Sequence, residues 1–142
     1  MKVQEVIKRK GDTVITVRSD QSVTDLLNLL TEHGIGAVVV SDDGSSVSGI
    51  VSERDVVRHL HSSGAAVLES SVGSIMTSAV TTCSPEDQLS DLEQSMTDRR
   101  IRHVPVVVDG TLCAIVSIGD VVKHRITDLQ AERDQLRDYI NT

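Results

Sequence analysis

The chain has 142 residues, 39% of them hydrophobic, with no Phe, no Trp and a single tyrosine, Tyr139, and its 14 Lys and Arg against 21 Asp and Glu leave a net charge of −7. Modules that bind single strands or RNA stack bases on aromatic side chains and are normally net basic, so composition and charge both argue against nucleic acid as a partner. The apolar residues are Val, Leu, Ile and Ala in periodic blocks, which excludes an acidic disordered chain and suits one compact domain, or two very small ones sharing an aliphatic core.

The first ten residues, Met1 to Lys10, interrupt every apolar stretch with charge, so they hold no secretory core segment. No run approaches the roughly 20 apolar residues that span a bilayer. A cytoplasmic protein with no membrane contact is therefore expected. Cys83 and Cys113 are too few for a disulfide scaffold and lack zinc spacing; both lie in apolar, strand-like stretches where a buried, inert thiol is expected.

From there on the chain repeats itself. A shift of 66 residues lays Thr16–Gly44 on Thr82–Gly110, and one deletion later Ser46–His59 falls on Thr111–His124; 16 of the 43 paired positions are identical. The leading segments match as well, since Val3, Val6 and Ile7 have the spacing of Val72, Ile75 and Met76. Each copy predicts a short strand (Val14–Val17; Val80–Cys83) and a helix. The first helix carries Val23, Leu26, Leu27 and Leu30 at helical spacing behind a Ser22-x-x-Asp25 capping box, and the second a thinner stripe of Leu89, Leu92 and Met96. An apolar strand follows (Ile35–Val40; Ile101–Val108), then an Asp-Gly turn, a second strand (Val47–Val51; Leu112–Val116), and a helix opening at Ser52 or Ser117. The unit is β-α-β-β-α. One copy would bury too little surface alone, so the fold expected is α+β, two such repeats packed sheet against sheet about a pseudo-two-fold axis. The repeats are placed at 3–61 and 72–126, with a C-terminal helical extension over 127–142.

Ser52-x-x-Asp55 and Ser117-x-x-Asp120 admit two readings from chemistry alone. A Ser at the N-cap with Asp at the third helical position is a capping pair. The same geometry offers an anion the free N–H groups of a helix N-terminus, and offers vicinal ribose hydroxyls a carboxylate acceptor. No nucleophile–base constellation is visible, so no catalytic role is expected, and His59-x-His61 lacks the ligands for a metal site.

The duplicated unit, with Gly49-Ile-Val-Ser52-Glu-Arg-Asp55, Ile101-Arg-His-Val-Pro-Val-Val107, Ile115-Val-Ser-Ile-Gly-Asp120 and the junction Val72-Gly-Ser-Ile-Met-Thr77, resembles the CBS domain, and two in tandem resemble a CBS pair, or Bateman module. The resemblance covers roughly residues 3 to 126 and extends to the small stand-alone bacterial CBS-pair proteins, which carry no attached enzyme. It implies a ligand-sensing regulatory protein that needs no cofactor for chemistry. Its ligand would be an adenine nucleotide (AMP, ADP or ATP, with NAD(H) or S-adenosyl methionine as further members of the class). By that resemblance Asp55 and Asp120 hold ribose, Ser52 and Ser117 lie near phosphate, and adenine lies among Thr16, Val17, Thr82 and Cys83, with Ile35, Ala37, Ile101 and Pro105 opposite. Arg102 and His103 match phosphate-contacting positions of the kinase-regulating gamma subunits of the family; at the first site Arg54 and His59 are the basic residues placed to serve phosphate. Because a phosphate bound by an acidic protein needs local positive charge, the second site, with Arg99, Arg100, Arg102 and His103 before Pro105, is expected to be the stronger one. Ala114 stands where many relatives have Gly, whereas the first copy has Gly49.

Beyond the repeat, Val122, Ile126, Leu129, Leu136 and Ile140 extend the helical stripe, interrupted by Arg133. A helix with that stripe needs cover, and family members usually pair head-to-head or head-to-tail, so a homodimer is expected, with a regulated protein as a further partner. The alternative from another class is a ligand-free structural or interaction module in which the Ser-x-x-Asp pairs are only helix caps.

Overall fold

Burial follows the two sequence periodicities closely. Val23, Leu26 and Leu30 line the inner face of helix α2 (Val23–His33), and Val38 and Val40 lie on the same side of strand β2 (Ala37–Val40), all in one aliphatic cluster. The computed structural model describes residues 1–11 and 13–141; Thr142, the last residue of the expected extension, lies outside them. In the first repeat, β1 (Thr16–Val17) pairs in parallel with β2, and β2 pairs antiparallel with β3 (Gly49–Ser52), which runs straight into helix α3 (Glu53–Ser63). In the second, α5 (Leu89–Arg99) precedes the antiparallel pair β4 (His103–Val108) and β5 (Thr111–Ser117), and β5 runs into α6 (Ile118–Asn141).

The strand expected over Val80–Cys83 is reduced to one parallel bridge, Cys83 with Val106, at the position matching Val17 with Val40. The reason is that the preceding residues are engaged elsewhere: Thr77 exchanges both backbone hydrogen bonds with Ile50 of the first repeat, each 2.9 Å.

The leading helices are exchanged between the repeats. Helix α1 (Val3–Lys10) puts Val3 and Val6 into the core of the second repeat, beside Leu89, Leu92, Met96, Val104 and Val106. Helix α4 (Val72–Ile75) puts Val72 and Ile75 into the core of the first. Two bridges repeat the relation, Lys2 with Gln88 and Ser22 with Ser71, and so mark the pseudo-two-fold axis. Each sheet therefore has one face on its own aliphatic core. Ala37, Val39 and Pro105, which point to the opposite faces, are buried too, where sheet meets sheet.

Helices α2 and α5 end alike, with a left-handed residue whose N–H caps the preceding turn. In α2 it is Gly34 (φ 61°), and in α5 the matching position is Arg100 (φ 54°). That conformation costs a residue with a side chain about 1 kcal/mol or more, so the second repeat carries a strain that the first avoids.

The exchange predicts the effect of truncating either leading helix. Val6→Ala and Val72→Ala should each lower the unfolding free energy by about 2 kcal/mol through lost apolar contact and a residual cavity, whereas Lys8→Ala, at an exposed position of the same helix α1, should change it by less than about 0.5 kcal/mol. Urea denaturation midpoints measure this, and a Val6→Ala midpoint equal to that of Lys8→Ala would show that α1 is no part of the core.

Candidate functional site: a cleft between the repeats

Strand β3 delivers Ser52 and Asp55 to the start of α3. Ser52 donates its backbone N–H (2.9 Å) and its hydroxyl (3.2 Å) to Asp55 Oδ2. Among the described residues Asp55 Oδ1 makes no hydrogen bond, although the side chain as a whole is buried. It lines a cleft of about 590 Å³, well inside the 300–1,000 Å³ typical of small-molecule sites. One wall comes from the first repeat (Gly36, Ala37, Ile50, Ser52, Asp55). The other comes from the second: the extended segment Thr77, Ala79, Val80, Thr81 and the turn Arg100–His103.

The close approach of Thr77 depends on Gly49. A Cβ there would lie 2.7 Å from Met76 Sδ and 2.8 Å from the Thr77 carbonyl, so any side chain would push the second repeat's segment off β3. In the other copy the matching Ala114 is accommodated in the core, because α1 stays helical to Lys10 instead of laying a strand on β5.

Charge is concentrated on the cleft's rim. Arg54, Arg100 and Arg102 line it, and among the described residues none of their guanidinium groups has a hydrogen-bond or ion-pair partner. Arg99 differs: it donates to the Thr81 hydroxyl (3.1 Å) and so ties down the extended wall. Glu53 adds a carboxylate beside Gly36. His103 sits between the two sites, paired in register with Ser117. Burial first, then the Lys10 ammonium, holds its imidazole below the usual value of 6.5, so at neutral pH it is an uncharged hydrogen-bonding group rather than a cation.

A family model for the CBS domain matches residues 3–62 and 72–126. The chain belongs to the CBS-domain family. It is 45% identical to the CBS-domain-containing protein ATU1752 of Agrobacterium tumefaciens, whose crystal structure superposes with a TM-score of 0.84 over 88% of this chain and 99% of that one. It is 35% identical to the mitochondrial CBS domain-containing protein CBSX3 of Arabidopsis thaliana, over 97% of this chain and 71% of the relative. The CBS domain pair of MJ0100, solved in complex with 5-methylthioadenosine and S-adenosyl-L-methionine, shares the fold at 22% identity, with a TM-score of 0.80 over 90% of this chain.

Within this CBS pair the residues singled out from sequence separate into three groups. Ala37, Ser52, Arg54, Asp55, Ile101, Arg102 and His103 come together in the cleft. Val17 and Ile35 belong to the first core, Cys83 packs on the second, Thr16 is paired to Val39, and Pro105 is buried where the sheets meet; none of these lines the cleft, nor does the exposed Thr82. Burial, with the nearby Asp87 carboxylate, pushes the Cys83 thiol up to about 12. Ser117 and Asp120 form the third group, on the other side of His103. Sequence reasoning grouped Arg102 and His103 with Asp120 because they share a repeat, whereas the cleft joins them to Asp55, because its walls come from opposite repeats. Thr77, Ala79, Val80 and Thr81 were missed. Their signals were the junction motif that ends at Thr77 and their position, directly after the Ile75-Met76 pair that matches Val6-Ile7.

At the second repeat the capping reading is fully realised. Ser117 N–H donates to Asp120 Oδ2 (2.9 Å), and Asp120 N–H donates to Ser117 Oγ (3.2 Å). Lys10 Nζ then donates to Asp120 Oδ2 (2.7 Å) and to the Ile115 carbonyl (2.8 Å). Burial pushes the Asp120 carboxyl up, but the bonds from Lys10 and Ser117 outweigh it and hold the group below its usual 3.8. A depressed carboxyl contributes stability above its unfolded pKa of about 3.9 and loses it as the pH falls through the lower folded value. Removing Lys10 should therefore raise the Asp120 titration midpoint in Lys10→Met, read from its side-chain carboxyl resonance, and narrow the acid-side stability difference between wild type and Asp120→Asn. An unshifted midpoint would show that the Lys10 contact is not made in solution.

Proposed function

We propose that this protein is a ligand-sensing regulatory CBS pair that binds one adenosyl ligand, an adenine nucleotide first among them, in the cleft beside Asp55. The observation that carries this reading is the convergence of three chemistries in one cavity. Asp55 Oδ1 is an acceptor for vicinal ribose hydroxyls, three unpaired guanidinium groups suit phosphate, and the aliphatic walls of Ala37, Ile50, Val80 and Ile101 suit a flat base. The backbone N–H groups of Ala79 and Thr81 make no hydrogen bond among the described residues, so they are free to read the edge of that base. With no Phe or Trp in the chain and Tyr139 far along α6, adenine is held by shape and backbone rather than by stacking. The MJ0100 complex with two adenosyl compounds supports the ligand class.

A capping pair forms at both helix starts, and among the described residues Asp120 Oδ1 is as free of hydrogen bonds as Asp55 Oδ1; what separates the second repeat is Lys10, whose ammonium already pairs with Asp120 Oδ2. One site per chain is accordingly expected, the reverse of the ranking that charge along the sequence suggested. Occupancy would be transmitted through a homodimer that covers Val122, Ile126, Leu129, Leu136 and Ile140, all exposed along α6, together with Val57 and Leu60 on α3. A solution mass twice that of the chain supports that dimer, and a monomer rules it out.

Thermal denaturation with AMP, ADP, ATP, NADH and S-adenosyl methionine tests the ligand. At a hundredfold excess over Kd, a true ligand adds about 2.7 kcal/mol, a rise of several degrees in Tm. Asp55→Ala, compared with its own ligand-free Tm, should lose the rise, and Asp120→Ala should keep it. No shift with any of the five would sink the sensor reading, and loss in Asp120→Ala alone would move the site to the second repeat.

A further inference from the structure

Resting on the Asp55 reading, we propose that Arg100 is the residue that selects phosphorylated over unphosphorylated adenosyl ligands. Arg100 closes helix α5 in the left-handed region at φ 54° and ψ 43°. The duplication supplies an internal control: the matching residue of the first repeat, Gly34, holds the same conformation at φ 61° and ψ 38° without a side chain to strain. Both positions perform the same capping task, with their N–H groups bonded to the same two carbonyls of the preceding turn. Glycine would therefore serve the fold better at residue 100.

What distinguishes the two positions is where they lie. Arg100 lines the cleft beside Asp55, whereas Gly34 does not line it and borders a shallower depression over Leu27, Leu30 and Thr31 that adjoins the cleft at Gly36 and Glu53. Among the described residues the Arg100 guanidinium has no acceptor, in contrast to the neighbouring Arg99, which is spent on Thr81. A planar guanidinium with five donors suits a bidentate phosphate contact. Placed on a strained backbone at the rim of a cavity in a chain of net charge −7, it has a use there that the fold does not explain. Arg102 reinforces the field from two residues on, while uncharged His103 supplies hydrogen bonding and no charge.

The test uses Arg100→Gly, Arg100→Ala and Arg100→Lys in the full chain, with adenosine and ADP titrated calorimetrically and the ligand-free Tm recorded. Arg100→Gly should raise the ligand-free Tm by roughly 1–4 °C and weaken ADP by about tenfold or more, with adenosine unchanged. Arg100→Ala should weaken ADP equally without the gain in Tm, and Arg100→Lys should keep part of the ADP affinity. If all three bind ADP as the wild type does while Asp55→Ala does not, the cleft is right and the role of Arg100 is wrong. Equal losses for adenosine and ADP also overturn it, since the residue would then shape the pocket and not read phosphate. A wild-type chain that binds neither compound overturns the Asp55 reading and this proposal together.

Discussion

The exchange of leading segments between the repeats is the contact on which the remaining structure depends. Neither repeat closes its own core: Val3 and Val6 complete the second, and Val72 and Ile75 complete the first. An antiparallel hairpin under one or two helices exposes an apolar face that it cannot cover alone, and small units of this kind gain stability only by sharing a core. Once α4 is seated in the first repeat, the chain that follows must cross β3 on its way to the second. Thr77 then pairs with Ile50 over Gly49, and residues 77–81 become a wall of the cleft. The cavity is thus a consequence of how the cores are closed.

The same exchange explains why two similar copies offer unequal sites. Following α4, the chain leaves the helix at Met76 and runs extended, whereas α1 continues to Lys10 and brings an ammonium group onto Asp120. The difference is matched in the strands beneath, where Gly49 admits a close backbone and Ala114 fills core. Duplication produced two sets of Ser and Asp, and the leading segments decide what each set faces. At Asp55 that is a cavity with three guanidinium groups, and at Asp120 a lysine.

Local features were legible in the sequence because their causes are local. The stripe Val23, Leu26, Leu30 marks α2, the Asp43-Gly44 and Asp109-Gly110 turns mark the hairpins, and Ser-x-x-Asp marks the starts of α3 and α6. The identity of the repeat was legible because 16 matching positions fall in one frame. The composition of the cleft was not, since it depends on which repeat's wall faces which helix, and a periodicity along one strand carries no information about that. The family resemblance put Val17 and Cys83 near a ligand, whereas both side chains turn inward to the cores. The repeat ends at His124, but α6 runs on to Asn141, and His124 is buried with Nδ1 on the Asp120 carbonyl at 3.0 Å.

On the proposed function, ligand binds in the Asp55 cleft and not at its copy. The most direct measurement is a methyl-labelled NMR titration with ADP, following Ala37, Ala79, Val80 and Ile101 on one side and Ala114, Ile115 and Ile118 on the other. Binding in the Asp55 cleft should give saturable shifts in the first set at concentrations where the second is undisturbed. Shifts led by Ile115 and Ile118, with Ala79 and Val80 unmoved, would contradict it.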